Sequence, residues 1–152
     1  MHQADFVEEV KKISAADPRY DLGAYLFVRE ALDFTVKRLK KPTRGPSRHV
    51  SGRELLDGIR SYALDQYGPM ALTVLATWGL KSTEDCGEIV FNLVNAGVLG
   101  KTDSDTKQDF AKGYDFHEAF AKPFLPPEKP RRQQLLRLKG VHARRPTPER
   151  NG

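Results

Sequence analysis

Pro123, Pro126, Pro127 and Pro130 bar a regular helix from the start of the last thirty residues and favour an extended segment, so the folding problem belongs to the residues before them. Charge divides at the same place. The segment from Pro123 to Gly152 holds Lys129, Arg131, Arg132, Arg137, Lys139, Arg144, Arg145 and Arg150 against Glu128 and Glu149, a net +6. Residues 1–122 carry 17 basic and 18 acidic side chains and are nearly neutral. The net +5 and the pI of 9.4 thus describe an appendage. The expected organisation is one globular domain over residues 1–122 and a basic, proline-rich, disordered tail over residues 123–152. A domain of that length buries roughly two thirds of its unfolded surface without disulfides or metal.

Cys86 is the only cysteine, so no intrachain disulfide forms, which points to a reducing cytosol. The first twelve residues include Asp5, Glu8 and Glu9 and lack an apolar run, so they do not read as a signal peptide. Apolar-leaning stretches such as residues 70–80 are far shorter than the roughly 20 residues a membrane helix needs. A cytoplasmic protein is expected.

Helical punctuation is strong along the body. Phe6, Val10 and Ile13 share one helical face, and Asp17-Pro18 closes that segment because a residue before proline is steered out of the helical region. Between Leu22 and about Lys41 no proline intervenes, and Tyr25, Phe27, Val28, Leu32, Phe34, Val36 and Leu39 cover more than one stripe, as in a central helix. Pro42, Gly45 and Pro46 then make a basic loop. Ser51 and Glu54 have the spacing of a capping box at the head of a third helix, which Gly68-Pro69 ends. A short helix carrying Met70, Leu72, Val74, Leu75 and Trp78 stops at Gly79. Another starts from Ser82 or Thr83, presents Cys86, Ile89, Val90, Leu93 and Val94 to the core and stops at Gly97.

Residues 98–102 and 113–116 are short enough to pair as two strands, and helices followed by such a ribbon give a winged-helix pattern. A helical turn over residues 106–112 that packs Phe110 is the alternative. Residues 117–122 read as a closing helical turn. The fold class expected is mainly α (α+β): a helical bundle with a winged-helix-like unit of three helices plus a β-ribbon, and the disordered basic tail.

Ordered blocks add a resemblance. Residues 52–60 (GRELLDGIR), 68–71 (GPMA), Trp78-Gly79, Thr83-Glu84-Asp85 and residues 87–94 (GEIVFNLV), with residues 27–32 (FVREAL) upstream, resemble a small family of bacterial proteins from planctomycete and verrucomicrobial lineages. The resemblance covers roughly residues 6–120 and leaves out the tail. It implies a lineage and brings no assigned activity, substrate or catalytic residue.

Candidate chemistry is sparse. Cys86 lies near a helix start, but Glu84, Asp85 and Glu88 beside it oppose a thiolate, and a buried structural cysteine is expected. His49 and His117 lack zinc-site spacing. Asp103, Asp105 and Asp109 superficially suggest a calcium loop, yet Gln108 and Tyr114 stand where glycine and a bidentate glutamate belong. Gly100 and Gly113 are isolated, so no phosphate-cradling loop is read. No cofactor or metal is expected, and no enzyme. Trp78, Tyr62, Tyr67 and Phe91 are read as core in preference to base-stacking platforms.

Two basic regions remain. Lys37, Arg38, Lys40, Lys41, Arg44 and Arg48 fall in a stretch without acids between Asp33 and Glu54, and Arg131, Arg132, Arg137, Lys139, Arg144 and Arg145 lie in the tail. Together they favour contact with RNA or DNA phosphates at low sequence specificity, because phosphate neutralisation scales with the number of cations supplied. The helix headed by Glu84, Asp85 and Glu88 is unsuited to reading DNA. The alternative is an adaptor that binds another protein through Glu84, Glu88, Asn92 and Asn95.

Overall fold

The computed structural model describes residues 2–42, 49–100 and 107–126. Helix α1 (Gln3–Ala16) is amphipathic and buries Phe6 and Val10. Its last turn is closed by the Asp17 amide, which donates to the Ile13 carbonyl at 2.8 Å just before Pro18. Helix α2 (Leu22–Arg38) begins where the Asp21 side chain accepts from the Gly23 amide at 2.9 Å. It buries Ala24, Tyr25, Phe27, Val28, Ala31, Thr35 and Val36. That apolar surface is wider than one stripe, and α2 accordingly packs against three helices: α1, α3 (Gly52–Tyr67) and α5 (Thr83–Asn95).

The α2–α3 pair is antiparallel. Tyr62 donates to Glu30 at 3.2 Å, Arg38 to Asp57 at 2.8 Å, and Lys41 lies 3.5 Å from Glu54, so later residues of α2 meet earlier residues of α3. The two backbones come close at Gly58, where a Cβ would overlap the hydroxyl of the fully buried Thr35. Ser51 and Glu54 make both halves of the capping box at the head of α3. Gly68-Pro69 ends that helix in a 3₁₀ turn, Gly68–Met70, and α4 (Ala71–Thr77) follows. Gly79 and Gly97 have φ of +92° and +77°, the left-handed conformation that lets glycine terminate α4 and α5.

Helix α2 ends at Arg38, three residues before the end near Lys41 expected from the absence of proline. Lys40 takes φ of +57°, and the Lys41 amide donates to the Val36 carbonyl at 3.0 Å. This is the left-handed helix stop that glycine usually supplies, here made by a lysine.

The residues expected to form the strands of a wing are bends and coil at 98–100 and 113–115. Among the described residues there is no strand: Lys107–Phe110 forms a 3₁₀ turn with Phe110 buried, and Phe116–Phe120 forms α6. Residues 101–106 lie outside the description. The winged-helix ribbon is therefore corrected to a coil of turns laid across the bundle, and the architecture is mainly helical. Backbone and side-chain bonding explains the difference. The Gly113 amide donates to the Thr83 hydroxyl at 3.0 Å, Tyr114 donates to the Leu56 carbonyl at 2.7 Å, and Asp115 caps α6 through the Glu118 amide at 3.0 Å. Those bonds tie residues 113–115 to α3, α5 and α6, and the Gly113 amide is taken by the Thr83 hydroxyl instead of a strand partner. Phe110 fits against α5 at Gly87, where an added Cβ would stand 2.8 Å from the phenylalanine Cβ. A 3₁₀ turn, Lys122–Phe124, follows α6, and the description ends at Pro126, within the segment expected to be tail.

Candidate functional site

Lys37, Arg38, Lys40 and Lys41 gather at the C-terminal end of α2, but they are not equivalent. Arg38 bonds Asp57 at 2.8 Å and lies over the Phe34 ring, 5.4 Å from its centroid, while Lys41 is paired with Glu54. Lys37 and Lys40 are exposed and have no acidic partner among the described residues. A cation in the last turn suits the helix dipole, and the left-handed turn at Lys40 directs the chain into the segment that holds Arg44 and Arg48. Arg44 and Arg48 fall outside the described residues, as do Arg131, Arg132, Arg137, Lys139, Arg144 and Arg145.

The polar face of α5 proves to be bonded within the chain. Glu88 pairs with Arg19 at 3.0 Å and with Lys107 at 3.1 Å. Asn92 donates to Asp17 and to the Tyr25 hydroxyl, each at 3.0 Å. Glu84 accepts from the Lys112 amide at 3.2 Å. Asn95 alone of the four candidate interaction residues is exposed without such a bond. The centre of this network is Arg19, whose Nε and Nη2 make a two-point bond to Asp17 at 2.8 and 2.7 Å. Beside it Tyr20 donates to Asp85 at 2.6 Å, and Asp85 also accepts from the Lys81 amide at 2.9 Å. The turn between α1 and α2 is thereby fastened to α5. Sequence reading took Asp17-Pro18 as a helix stop and missed its second role, because the partners lie 69 to 75 residues away.

Electrostatics follow from these contacts. Hydrogen bonds from Arg19, then Asn92, hold the Asp17 carboxyl well below its ordinary 3.8. Bonds from Arg19 and Lys107 lower Glu88 against the opposing effect of burial. Such carboxyls favour the folded state while ionised, so their contribution is complete above about 4.5 and is lost as pH falls through the lowered folded values. Urea melts are expected to give a steady loss of stability as pH is lowered from about 5 towards 2. Asp17→Asn should be less stable at neutral pH and should show a shallower acid loss. An unchanged slope in that variant would contradict this account of the network.

The aromatic candidates divide. Phe27 is buried beneath half-buried Tyr62, Tyr67 and Trp78, with centroid separations of 5.7, 6.1 and 5.9 Å. Tyr67 and Trp78 meet edge to face at 5.9 Å. These rings are attached to the core, and each keeps part of its surface outside. Phe91 meets Phe110 edge to face at 6.4 Å. Trp78 also borders a shallow cleft of about 460 Å³, walled by residues 18–22 and 76–79 with Ser14 and Lys81.

Cys86 is fully buried, and burial pushes its thiol up to about 12, with Asp85 and Glu84 adding to the rise. It is a core side chain in this fold. His117 is exposed on α6, and His49 precedes α3. Asp109 sits in the 3₁₀ turn, whereas Asp103 and Asp105 fall outside the described residues. Among the described residues no group of three or more His, Cys, Asp or Glu is placed to hold a metal ion. No described helix is long and apolar enough to cross a membrane. In comparisons with protein-family models, curated proteins and solved structures, none matches this chain.

Proposed function

We propose that the chain is a non-enzymatic cytoplasmic protein that holds RNA or DNA by its phosphate backbone, with little preference for sequence. The observation that carries this reading is the layout of charge. A nearly neutral body ends in a segment of net +6, and the body adds a cluster in which Lys37 and Lys40 stand exposed at the end of α2. Arg44 and Arg48 follow directly in the sequence. Cations supplied in this number release counterions from phosphates, and that gain does not depend on base identity. The alternative, an adaptor using the α5 face, is weakened because Glu84, Glu88 and Asn92 already have partners within the chain.

Gel-shift titrations of the full chain at several salt concentrations test the proposal. Affinity is expected to fall steeply with salt and to vary little among sequences. Replacing Arg131, Arg132, Arg137 and Lys139 by alanine should reduce the log–log slope by about three to four units. Glu84→Gln should leave binding unweakened, since a carboxylate repels phosphate. Binding that is absent at low salt, or unaffected by the four tail substitutions, would refute the reading.

A further inference from the structure

The α2–α3 pair carries a second surface whose chemistry differs from that of its lysine-rich end. Tyr62, Tyr67 and Trp78 present their half-buried rings above Phe27, and Glu30 and Asp65 stand exposed beside them. Glu30 accepts from the Tyr62 hydroxyl at 3.2 Å, and Asp65 accepts from its neighbour Gln66 at 3.1 Å. Neither carboxylate has an ion-pair partner among the described residues. Arg19 and Lys81 line the cleft that Trp78 borders, and Arg38 lies over Phe34 and bonds Asp57. Ring faces flanked by unpaired carboxylates suit guanidinium groups, which stack on aromatics and bond carboxylates at two points. The same carboxylates would repel a phosphate strand.

We propose that this face docks the arginine-bearing part of the chain's own tail, residues 131–145. Charge complementarity supports the choice, since residues 131–145 carry Arg131, Arg132, Arg137, Lys139, Arg144 and Arg145 and no acid. Reach supports it as well. Description ends at Pro126, and ten extended residues span roughly 33 Å, more than the roughly 25 Å length of α2. Leu135, Leu136 and Leu138 fall between Arg132 and Lys139, where they can cover the ring edges while the arginines meet Glu30 and Asp65. A consequence that rests on the nucleic-acid reading is competition: a polyanion and the acidic aromatic face draw on the same arginines.

Trp78 is the only tryptophan, so its fluorescence reports on this face in the intact chain. Acrylamide, a neutral quencher, measures its accessibility. At low salt the quenching constant is expected to rise when Arg131, Arg132 and Arg137 are replaced by alanine, and also in Glu30→Gln/Asp65→Asn. Raising salt to about 1 M, where the Debye length is about 3 Å, should bring wild type to the variants' level. The double carboxylate variant should also bind a uridine homopolymer about two- to fivefold more tightly, because the tail is released. Identical quenching in all three proteins at low salt would overturn the docking. So would a wild-type difference that grows with protein concentration, which would place a second copy on the face. A protein with the expected salt slope but no tail-dependent quenching keeps the nucleic-acid reading and loses the docking. Tail-dependent quenching without nucleic-acid binding does the reverse.

Discussion

Phe27→Ala is expected to cost about 3–5 kcal/mol, the usual range for removing a large buried aromatic side chain. The ring is 1% exposed and touches Tyr62, Tyr67 and Trp78, so its loss opens a cavity under three rings that cannot all close onto it. Tilted contacts between those rings add to the loss of buried area. Urea melts measure the change, and Phe27→Leu should recover most of it because leucine refills much of the volume. The same experiment on Trp78 should give a smaller loss, since that indole is only half-buried. A Phe27→Ala protein within about 1 kcal/mol of wild type would mean that the rings repack freely and that the face they form has no fixed shape.

Gly58→Ala should destabilise by about 1–3 kcal/mol although it adds a single methyl group and improves helix propensity. The new Cβ would occupy the place of the Thr35 hydroxyl, which is fully buried and donates to the Ala31 carbonyl at 2.7 Å on the preceding turn. Helix α2 or α3 must then shift along their whole contact. Thr35→Ala vacates the space, and its lost hydroxyl bond goes to a carbonyl within α2 itself. The double variant is therefore expected to be more stable than Gly58→Ala alone, a coupling that a double-mutant cycle in urea measures. Strict additivity would show that the obstruction at Gly58 is not Thr35.

Local signals account for the helices that were legible in the sequence. Ser51 with Glu54, Ser82 before an acidic first turn, Asp17-Pro18, Gly79 and Gly97 each act within a few residues, and each appears in the structure as a cap or a stop. The breadth of apolar positions in α2 likewise gave its central place. Failures came where distant residues decide. The stretch from Gly113 to Phe116 has a strand-like pattern, but Thr83 and Leu56 claim its polar groups from other helices. Asp115 three residues before Glu118 is a local cap signal for α6, set among a glycine and aromatics that have a strand-like pattern. The polar face of α5 looked free for a partner because nothing local reveals that Arg19 and Asp17 will reach it. Lys40 is a further case, since its left-handed conformation is required by the turn and not favoured by the residue.

The single thiol gives the fold an internal clock. Cys86 has no exposed surface and sits on α5 between the helix's acidic first turn and its apolar seam. An alkylating reagent therefore meets sulfur only when α5 leaves the bundle, and at high reagent concentration the labelling rate becomes the opening rate itself. Because Arg19 fastens the α1–α2 turn to the same helix, that rate registers the strength of a polar network on the opposite face, read at an atom that takes no part in it.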